Sequence, residues 1–202
     1  MTRLIFIRHG LSAANLTRTF AGHTDVPLSD AGALQAGKIA DRLENEPLTR
    51  IYASPLLRAM RTAEPTAKAH GLPIRTDDGW MEIAAGKWEG MKIDDIASRF
   101  PNSYSVWRTD LGRMRPDGGE SFLELADRVR AAMDRIVSGN SDGCVAVFTH
   151  ATPIRAVACI CSGTPLAEAN RFPIPGNASL TIAEYTEKGG YRLLCFDSRD
   201  HL

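Results

Sequence analysis

The sequence predicts an α/β fold in which helices cover both faces of a mostly parallel sheet. Two short apolar runs, Leu4-Ile5-Phe6-Ile7 and Cys144–Thr149, are typical of strands that are buried on both faces. Along the rest of the chain, stretches with apolar residues at helical spacing alternate with further extended segments, which is the order of βαβ units. We therefore expect a three-layer sandwich around one central sheet.

The first predicted helix follows a long polar loop that comes after the first strand. Ser29 is a candidate N-cap, and the helix is expected to cover residues 31–44. Four residues share its predicted apolar face: Leu34, Ile39, Ala40 and Leu43. This face should pack on the sheet.

The next segment contains a second strand, a helix and a further extended stretch. Residues 50–54 are the predicted strand, and residues 73–75 begin the extended stretch. Pro55 is suited to the first position of the intervening helix, because a proline lacks an N–H that is unpaired there anyway. The inward-facing residues of this helix are expected to be Met60, Ala63 and Ala67.

The middle of the chain, residues 84–119, is irregular, with several glycines and with prolines at positions 101 and 116. Ser121 and Glu124 then form a capping-box pattern. Apolar residues follow at helical spacing: Phe122, Leu125, Val129, Met133, Ile136 and Val137. This is the most strongly indicated helix of the chain.

The last part of the chain predicts the antiparallel edge of the sheet. After the strand Cys144–Thr149, residues 153–161 form a predicted helix that Gly163 ends. Two final strands, residues 178–186 and 191–197, flank a turn at Gly189-Gly190. A short turn between two strands makes them antiparallel neighbours.

Length and composition favour a single domain, residues 1–202, and exclude several classes of function. A chain of 202 residues with 44% apolar residues can bury a full core. Basic and acidic residues both number 24, so no net charge favours binding to nucleic acid or to an anionic membrane. The N-terminus has too short an apolar run for a signal peptide or membrane span, which predicts a cytoplasmic protein.

The four cysteines are not arranged as a metal site. Cys144, Cys159, Cys161 and Cys195 include no CxxC pair, and the two that fall in one predicted helix point to different sides of it. We expect buried thiols, with neither disulfides nor a bound metal.

The strongest functional signal is that both buried strands end at a histidine. Arg8-His9-Gly10 follows the first strand, and His150 follows Cys144–Thr149. Because the carboxyl ends of parallel strands meet at one edge of a sheet, both imidazoles should lie at the rim where open α/β sheets build their sites. One histidine beside an apolar run is more often a packed core residue, but the repeat favours a site.

Several separate segments together resemble one known family. Arg8-His9-Gly10 with Asn15 is followed in order by Gly22-His23-Thr24-Asp25-Val26-Pro27-Leu28-Ser29, Ser54-Pro55-Leu56-Leu57-Arg58-Ala59 with Thr62-Ala63, Glu82 ahead of Gly86-Lys87-Trp88-Glu89-Gly90, Gly118-Gly119-Glu120-Ser121, and Thr149-His150. This series resembles the histidine phosphatase superfamily, also called phosphoglycerate mutase-like, along nearly the whole chain. The resemblance implies the phosphoglycerate mutase-like fold.

The resemblance also implies a two-step reaction without a metal or other cofactor. His9 would attack the phosphorus as a neutral imidazole, held in the right tautomer by a backbone carbonyl near Gly10, and become phosphorylated. Glu82 would protonate the leaving group and then act as the base for the water that attacks the phosphohistidine.

Phosphate binding is implied for residues around this pair. Arg8, Arg58 and His150 would supply positive groups, since transfer of a phosphoryl group is catalysed mainly by positioning and fixed charge. Asn15 and Gly22 would be further phosphate-binding residues. For Asn15 an Asx turn that stabilises the long loop is the alternative.

Departures from the family pattern favour a phosphatase for a small phosphorylated metabolite. The mutases of glycolysis have basic and tyrosine side chains after the acid, whereas Glu82 is followed by Ile83-Ala84-Ala85. A phosphoglycerate mutase is the alternative, and a non-catalytic phosphate-binding module is the third reading. The oligomeric state stays open, with a homodimer as one option.

Some residues allow two interpretations. We hypothesise that one or two of four arginines in the irregular segment reach a second anionic group of the substrate, with a solvated basic face as the alternative. These residues are Arg99, Arg108, Arg113 and Arg115. Trp88 and Trp107 fit either the core or the wall of the site. The side chains of Ala151-Thr152 either narrow the pocket or allow Thr152 to donate a hydrogen bond in it. Glu120-Ser121 fits a simple helix start as well as a part of the site.

Overall fold

A computed structural model describes residues 1–139 and 142–202 of the chain. The first part forms β1 (Thr2–Arg8), α1 (Ala13–Leu16), α2 (Asp30–Leu43), β2 (Leu48–Ala53), α3 (Leu57–His70) and β3 (Ile74–Thr76). The second part forms α4 (Ile93–Arg99), α5 (Pro101–Thr109), α6 (Phe122–Ser138), β4 (Cys144–Thr149), α7 (Ala151–Ser162), β5 (Leu180–Thr186) and β6 (Gly190–Ser198). Short 3₁₀ segments lie at Asp78–Trp80, Gly86–Trp88, Leu111–Arg113 and Leu166–Arg171.

The six strands form one sheet in the order β3-β2-β4-β1-β5-β6. β1, β2, β3 and β4 run parallel to their neighbours in this group, whereas β5 pairs antiparallel with β1 and β6 pairs antiparallel with β5. The predicted mixed α/β fold, with a mostly parallel sheet and an antiparallel edge, is confirmed.

Two apolar cores lie on opposite faces of the sheet, because successive strand side chains point to opposite sides. Leu4 and Phe6 of β1 belong to the larger core, which packs under α6 and α7. Ile5 and Ile7 belong to the smaller core, which packs under α2 and α3. The alternation along one strand therefore explains why the sheet needs helices on both faces.

The predicted cap of α2 is confirmed, but one residue of its predicted apolar face is wrong. The Ser29 hydroxyl accepts a hydrogen bond from the Gly32 N–H at 3.1 Å. Leu34 is 73% exposed, because the buried stripe runs through Gly32 and Ala36 instead. A β-carbon on Gly32 would lie only 2.1 Å from the Leu11 oxygen, so the close approach of the helix to the preceding loop selects the smallest residue there.

The predicted start of α3 at Pro55 is also wrong. The helix begins at Leu57, whose N–H donates to Asp25 Oδ1 at 2.7 Å, and Leu56 is the N-cap. A carboxylate from the distant loop thus takes the place of a local cap. Ala63 and Ala67 are buried as predicted, while Met60 is only partly buried.

The other helices follow the sequence signals to different degrees. The capping box of Ser121 and Glu124 is present at the start of α6, and Gly163 ends α7 in the left-handed conformation. α7 begins at Ala151, two residues before the predicted start. The helices α4 and α5 lie inside the segment that was expected to be irregular; with seven and nine residues they are too short for a clear periodicity.

Two expectations from composition can be compared with the described residues. All four cysteines are free thiols, and three of them are buried. Among the helices at residues 1–139 and 142–202, none is both long and apolar enough to cross a membrane.

Candidate active site

The candidate active site lies at the carboxyl ends of β1 and β4. Arg8 and Thr149 are paired across these strands, so His9 and His150 follow at the same level. The centroids of the two imidazole rings are 5.2 Å apart, and the rings meet edge to face. The structure therefore brings the two histidines together at one rim of the sheet.

The His9 ring is held in one tautomer. Its Nδ1–H donates to the Gly10 carbonyl oxygen at 2.7 Å. Because a carbonyl only accepts hydrogen bonds, Nδ1 carries the proton and Nε2 carries the free electron pair. The loop is fixed in turn by the Gly10 N–H, which donates to Thr62 Oγ1 at 3.0 Å, and by Asn177 Nδ2, which donates to the His9 oxygen at 3.1 Å.

Electrostatics keep His9 neutral. Its side chain is only 4% exposed, and burial together with the charges of Arg8 and Arg58 holds the pKa of His9 well below the usual value of about 6.5. The hydrogen bond to the Gly10 carbonyl acts in the opposite direction but is a smaller effect. An unprotonated Nε2 at neutral pH is what a nucleophilic imidazole requires.

His150 is fully buried beside His9, and both of its ring nitrogens form hydrogen bonds. Its Nδ1 accepts a hydrogen bond from Arg58 Nε at 3.2 Å, so the proton is on Nε2, which donates to Ser54 Oγ at 2.8 Å. Burial and the nearby cations hold the pKa of His150 well below its ordinary value. In the free protein these contacts favour a neutral ring that orients the Arg58 guanidinium, and a positive group at His150 toward a bound phosphate stays a prediction.

Arg58 is oriented by three acceptors. Besides its bond to His150, Nη2 donates to the Gly22 oxygen at 2.7 Å and Nη1 donates to the Thr24 oxygen at 3.0 Å. Burial lowers the pKa of Arg58, and the carboxylate of Glu82 partly offsets this effect. Gly22 therefore contacts Arg58 through its carbonyl oxygen. Its φ of +47° lies in the left-handed region, which favours glycine.

Arg8 and Asn15 line the same cavity. Arg8 Nη1 donates to the Pro175 oxygen, while the buried Nε has no hydrogen-bond partner among the described residues. Burial lowers the pKa of Arg8 to about 10, so the guanidinium stays charged at neutral pH.

Asn15 makes local hydrogen bonds in the loop after β1, in a capping box and not in the Asx turn that was one interpretation. Its Oδ1 accepts hydrogen bonds from the N–H and the hydroxyl of Ser12 and from Asn177 Nδ2. These bonds cap α1 and connect it to the segment that holds the His9 loop. With Oδ1 occupied, the amide nitrogen of Asn15 is its remaining polar group for a ligand, so phosphate binding stays a prediction.

Glu82 lies in the wall of the cavity, and main-chain N–H groups hold its carboxylate. Oε1 accepts from the Ile83 N–H at 2.8 Å, and Oε2 accepts from the Thr152 N–H at 3.4 Å. Thr152 therefore donates a hydrogen bond, through its main chain. Two other acids, Glu89 and Asp25, accept hydrogen bonds that shape loops and do not line the cavity.

The main chain around Glu82 is fixed by an ion pair that sequence reasoning missed. Arg128 binds both carboxylate oxygens of Glu120, at 2.6 and 2.8 Å, and also donates to the main-chain oxygens of Gly79, Met81 and Glu82. The sequence placed Glu120 in a segment that resembles the family, with a simple helix start as the alternative, and did not indicate its partner. No local pattern predicts this network, because its members meet only after α6 packs beside the Glu82 segment.

The cavity in front of His9 has a volume of about 310 Å³. Of the four arginines that were hypothesised to reach a substrate, Arg108 lines it; the other three do not. Arg99 lies over the Phe100 ring, Arg113 lies near Asp110, and Arg115 is paired with Glu124. Each of these three arginines contacts a residue that is close to it in the sequence or on the same part of the surface. The sequence of the irregular segment did not indicate these contacts.

Three further residues complete the comparison with the sequence. Trp88 is fully buried in the core, whereas Trp107 lines the cavity. Arg155, which the sequence analysis did not single out, also lines the cavity. Within residues 1–139 and 142–202, no group of three or more His, Cys, Asp or Glu side chains is arranged to hold a metal ion.

The two buried histidines predict a specific loss of stability in acid. Since both pKa values are lowered in the folded state, an unfolded chain takes up protons first as the pH falls below about 6.5, and each histidine should then reduce the free energy of unfolding by about 1.4 kcal/mol per pH unit. The measurement is urea unfolding at several pH values between about 7.5 and 5. His150→Gln should show a shallower acid slope than the wild type, and equal slopes would contradict the assignment.

Comparisons with known proteins agree with this geometry. Residues 4–197 match the family model of the histidine phosphatase superfamily (branch 1). The chain is 31% identical to phosphoserine phosphatase 1 of Hydrogenobacter thermophilus, over 93% of this chain and 89% of that protein.

Solved structures show the same similarity. Bacillus stearothermophilus YhfR superimposes with a TM-score of 0.94 at 29% identity, over 100% of this chain and 99% of that one. A mycobacterial glucosyl-3-phosphoglycerate phosphatase, in complex with VO3, gives a TM-score of 0.91 at 29% identity, over 98% and 99% of the two chains. The protein therefore belongs to the histidine phosphatase superfamily and is an enzyme of the phosphatase class.

Proposed function

We propose that the protein hydrolyses small phosphomonoesters through a phosphohistidine on His9. The observation that carries the proposal is the state of the His9 ring: it is neutral, its proton is fixed on Nδ1, and it lines a cavity that the Arg8 and Arg58 guanidinium groups also line. The Nε2 electron pair is therefore the free nucleophile of the site. Arg8 and Arg58 supply the positive charge that a phosphate dianion requires.

In the first step, His9 Nε2 attacks the phosphorus atom and the ester P–O bond breaks. The leaving alkoxide takes a proton from Glu82, which lines the same cavity. In the second step, water attacks the phosphohistidine, Glu82 accepts the proton of that water, and the N–P bond breaks to release inorganic phosphate. His150 assists both steps by orienting Arg58.

The surroundings of Glu82 favour hydrolysis over a mutase reaction. Ile83 and Ala85, which follow it, are fully buried, and Ala84 donates its N–H to Glu120. None of these three side chains can bind a substrate carboxylate at this position. We propose the cytoplasm as the compartment, because all four cysteines are free thiols.

A substrate panel tests the proposed function. Purified protein is incubated with p-nitrophenyl phosphate, sugar phosphates, nucleotides and both phosphoglycerates, each with and without excess EDTA. We expect release of inorganic phosphate from several compounds, with equal rates in EDTA. Faster interconversion of 2- and 3-phosphoglycerate than phosphate release would favour the mutase, and loss of activity in EDTA that zinc or magnesium restores would favour metal catalysis.

A further inference from the structure

The carboxylate of Glu89 lies between two segments of the candidate active site. Its Oε1 accepts hydrogen bonds from the N–H of His23 at 2.8 Å and from the N–H of Ala85 at 2.9 Å. Its Oε2 accepts from the N–H of Thr24 at 3.0 Å and from the Thr24 hydroxyl at 2.6 Å. The described lining of the cavity does not include Glu89, so these four hydrogen bonds connect parts of the protein to each other.

The first of the two segments holds Arg58 in place. The carbonyl oxygens of Gly22 and Thr24 accept hydrogen bonds from the Arg58 guanidinium at 2.7 and 3.0 Å. The Gly22 carbonyl and the His23 N–H belong to one peptide group, which is planar and trans, so they point in opposite directions. One peptide group therefore lies between the Glu89 carboxylate and the Arg58 guanidinium, and each charge polarises it in the sense that strengthens the other hydrogen bond.

Space and charge at this contact both depend on Glu89. A β-carbon on Gly22 would lie 2.1 Å from Glu89 Oε1, so the carboxylate fits against a main chain that has no side chain there. Burial lowers the pKa of Arg58, and negative charges, among them those of Glu82 and Glu89, partly offset this effect. Glu89 thus stabilises both the position and the charge of the guanidinium.

The second segment carries Glu82. Ala85, which follows three residues later, donates its N–H to Glu89, and His23 Nε2 donates to the Glu82 main-chain oxygen at 2.8 Å. Because a carbonyl only accepts hydrogen bonds, Nε2 of the His23 ring carries a hydrogen. The main chain around Glu82 is therefore joined to the segment that binds Arg58 by two side chains, Glu89 and His23.

We propose that Glu89 is a positioning residue, which fixes the distance between the Arg58 guanidinium and the Glu82 carboxylate. The inference rests on the proposed function, in which Arg58 binds the phosphoryl oxygens while Glu82 protonates the ester oxygen of the same substrate. The two groups act on neighbouring atoms at the same time, and a displacement of about 1 Å can cost roughly 10²-fold in rate. Glu89 touches neither atom and acts through both residues.

Replacement of Glu89 by glutamine tests this role. The amide keeps the shape of the carboxylate, but its nitrogen would face a main-chain N–H on either side, so the main-chain hydrogen bonds of that side are lost. Displacement of Glu82 should lower kcat on the best alkyl phosphate of the substrate panel by about 10-fold or more, with a smaller loss on p-nitrophenyl phosphate. Displacement of Arg58 should raise the inhibition constant of inorganic phosphate by about 5-fold or more.

Two further variants accompany this one. Glu184→Gln is the matched control, because this partly buried acid pairs with Arg192 on the antiparallel edge of the sheet; it should keep wild-type kinetics. Thr24→Val removes only the hydroxyl hydrogen bond at an exposed position, so it should fold even if Glu89→Gln is unstable. It should show the same pattern of losses at about 3-fold, within the range of one hydrogen bond. Circular dichroism and thermal unfolding check that each variant is folded.

A double-mutant cycle distinguishes positioning from a general structural role. If Glu89 acts through Glu82, Glu89→Gln should cost less on the alkyl phosphate when it is combined with Glu82→Gln than when it is made alone. A residue that only stabilises the fold would lower the fraction of active molecules. This would reduce the burst amplitude by the same factor for alkyl and aryl esters and leave the inhibition constant of phosphate unchanged.

The outcomes keep this inference apart from the proposed function. A folded Glu89→Gln variant with wild-type kcat and a wild-type inhibition constant would overturn the positioning role. Losses that are equal for alkyl and aryl esters and additive with those of Glu82→Gln would overturn it as well. A wild type that hydrolyses none of the esters in the panel would overturn the proposed function itself.

Discussion

Replacing His9 by alanine should abolish turnover while the fold persists. If Nε2 forms the bond to phosphorus, its removal should lower kcat by roughly 10⁴-fold or more, the scale seen when a covalent enzyme loses its nucleophile. The side chain is buried, but it lies after the end of β1, and its one hydrogen bond among the described residues is to the adjacent Gly10 carbonyl. Circular dichroism and thermal unfolding should therefore show a folded variant.

Trapping the intermediate gives a second measurement of the same assignment. Wild-type protein that is mixed with ³²P-labelled substrate and quenched rapidly should contain a phosphoenzyme that is stable in base and labile in acid. His70→Ala is the matched control, since His70 lies outside the cavity and binds the Leu43 oxygen; it should retain the phosphoenzyme and the activity. Near-normal activity of His9→Ala, or no labelled protein in the wild type, would remove His9 from the role of nucleophile.

Replacing Glu82 by glutamine should affect poor leaving groups most. The amide keeps the shape of the side chain but supplies no proton, so activity on alkyl phosphates should fall by roughly 10²-fold or more. An aryl ester such as p-nitrophenyl phosphate should lose less in its first step, because p-nitrophenolate departs without protonation. The two substrate classes should be compared by steady-state and burst kinetics.

A matched variant provides the control for this prediction. Glu64→Gln, on the surface of α3 beside Arg61, should behave as the wild type. Equal losses on alkyl and aryl esters would make Glu82 a binding residue.

The sequence predicted those features that depend on neighbouring residues or on the order of strands. The capping box at Ser121, the left-handed end at Gly163 and the paired histidines all follow from such local rules. The exposed Leu34 and the late start of α3 did not, because distant loops determine which helix face is buried and which group caps the first turn.

Parts of the site depend on contacts that no local pattern contains. Arg128 and Asn177 fix Glu82 and His9 from positions 46 and 168 residues away in the chain. The charge of His150 could not be read from the sequence either, since it depends on burial and on the neighbouring guanidinium groups. Ser54 had a sequence signal, because it ends a predicted strand and lies in a segment that resembles the family.

The pairing of Arg8 with Thr149 has a consequence for how activity responds to damage elsewhere in the molecule. Because each histidine follows a paired strand end, the spacing of the two rings is inherited from the interstrand distance of a sheet, about 4.8 Å. A strand can change its register only by whole residues, and a slip of one would move every core side chain to the wrong face. The relation of the two histidines therefore does not vary gradually: it is kept while the two strands stay in register and is lost when they separate or slip. Mutations in the distant core should then lower the fraction of active molecules, and leave the turnover of each remaining one unchanged.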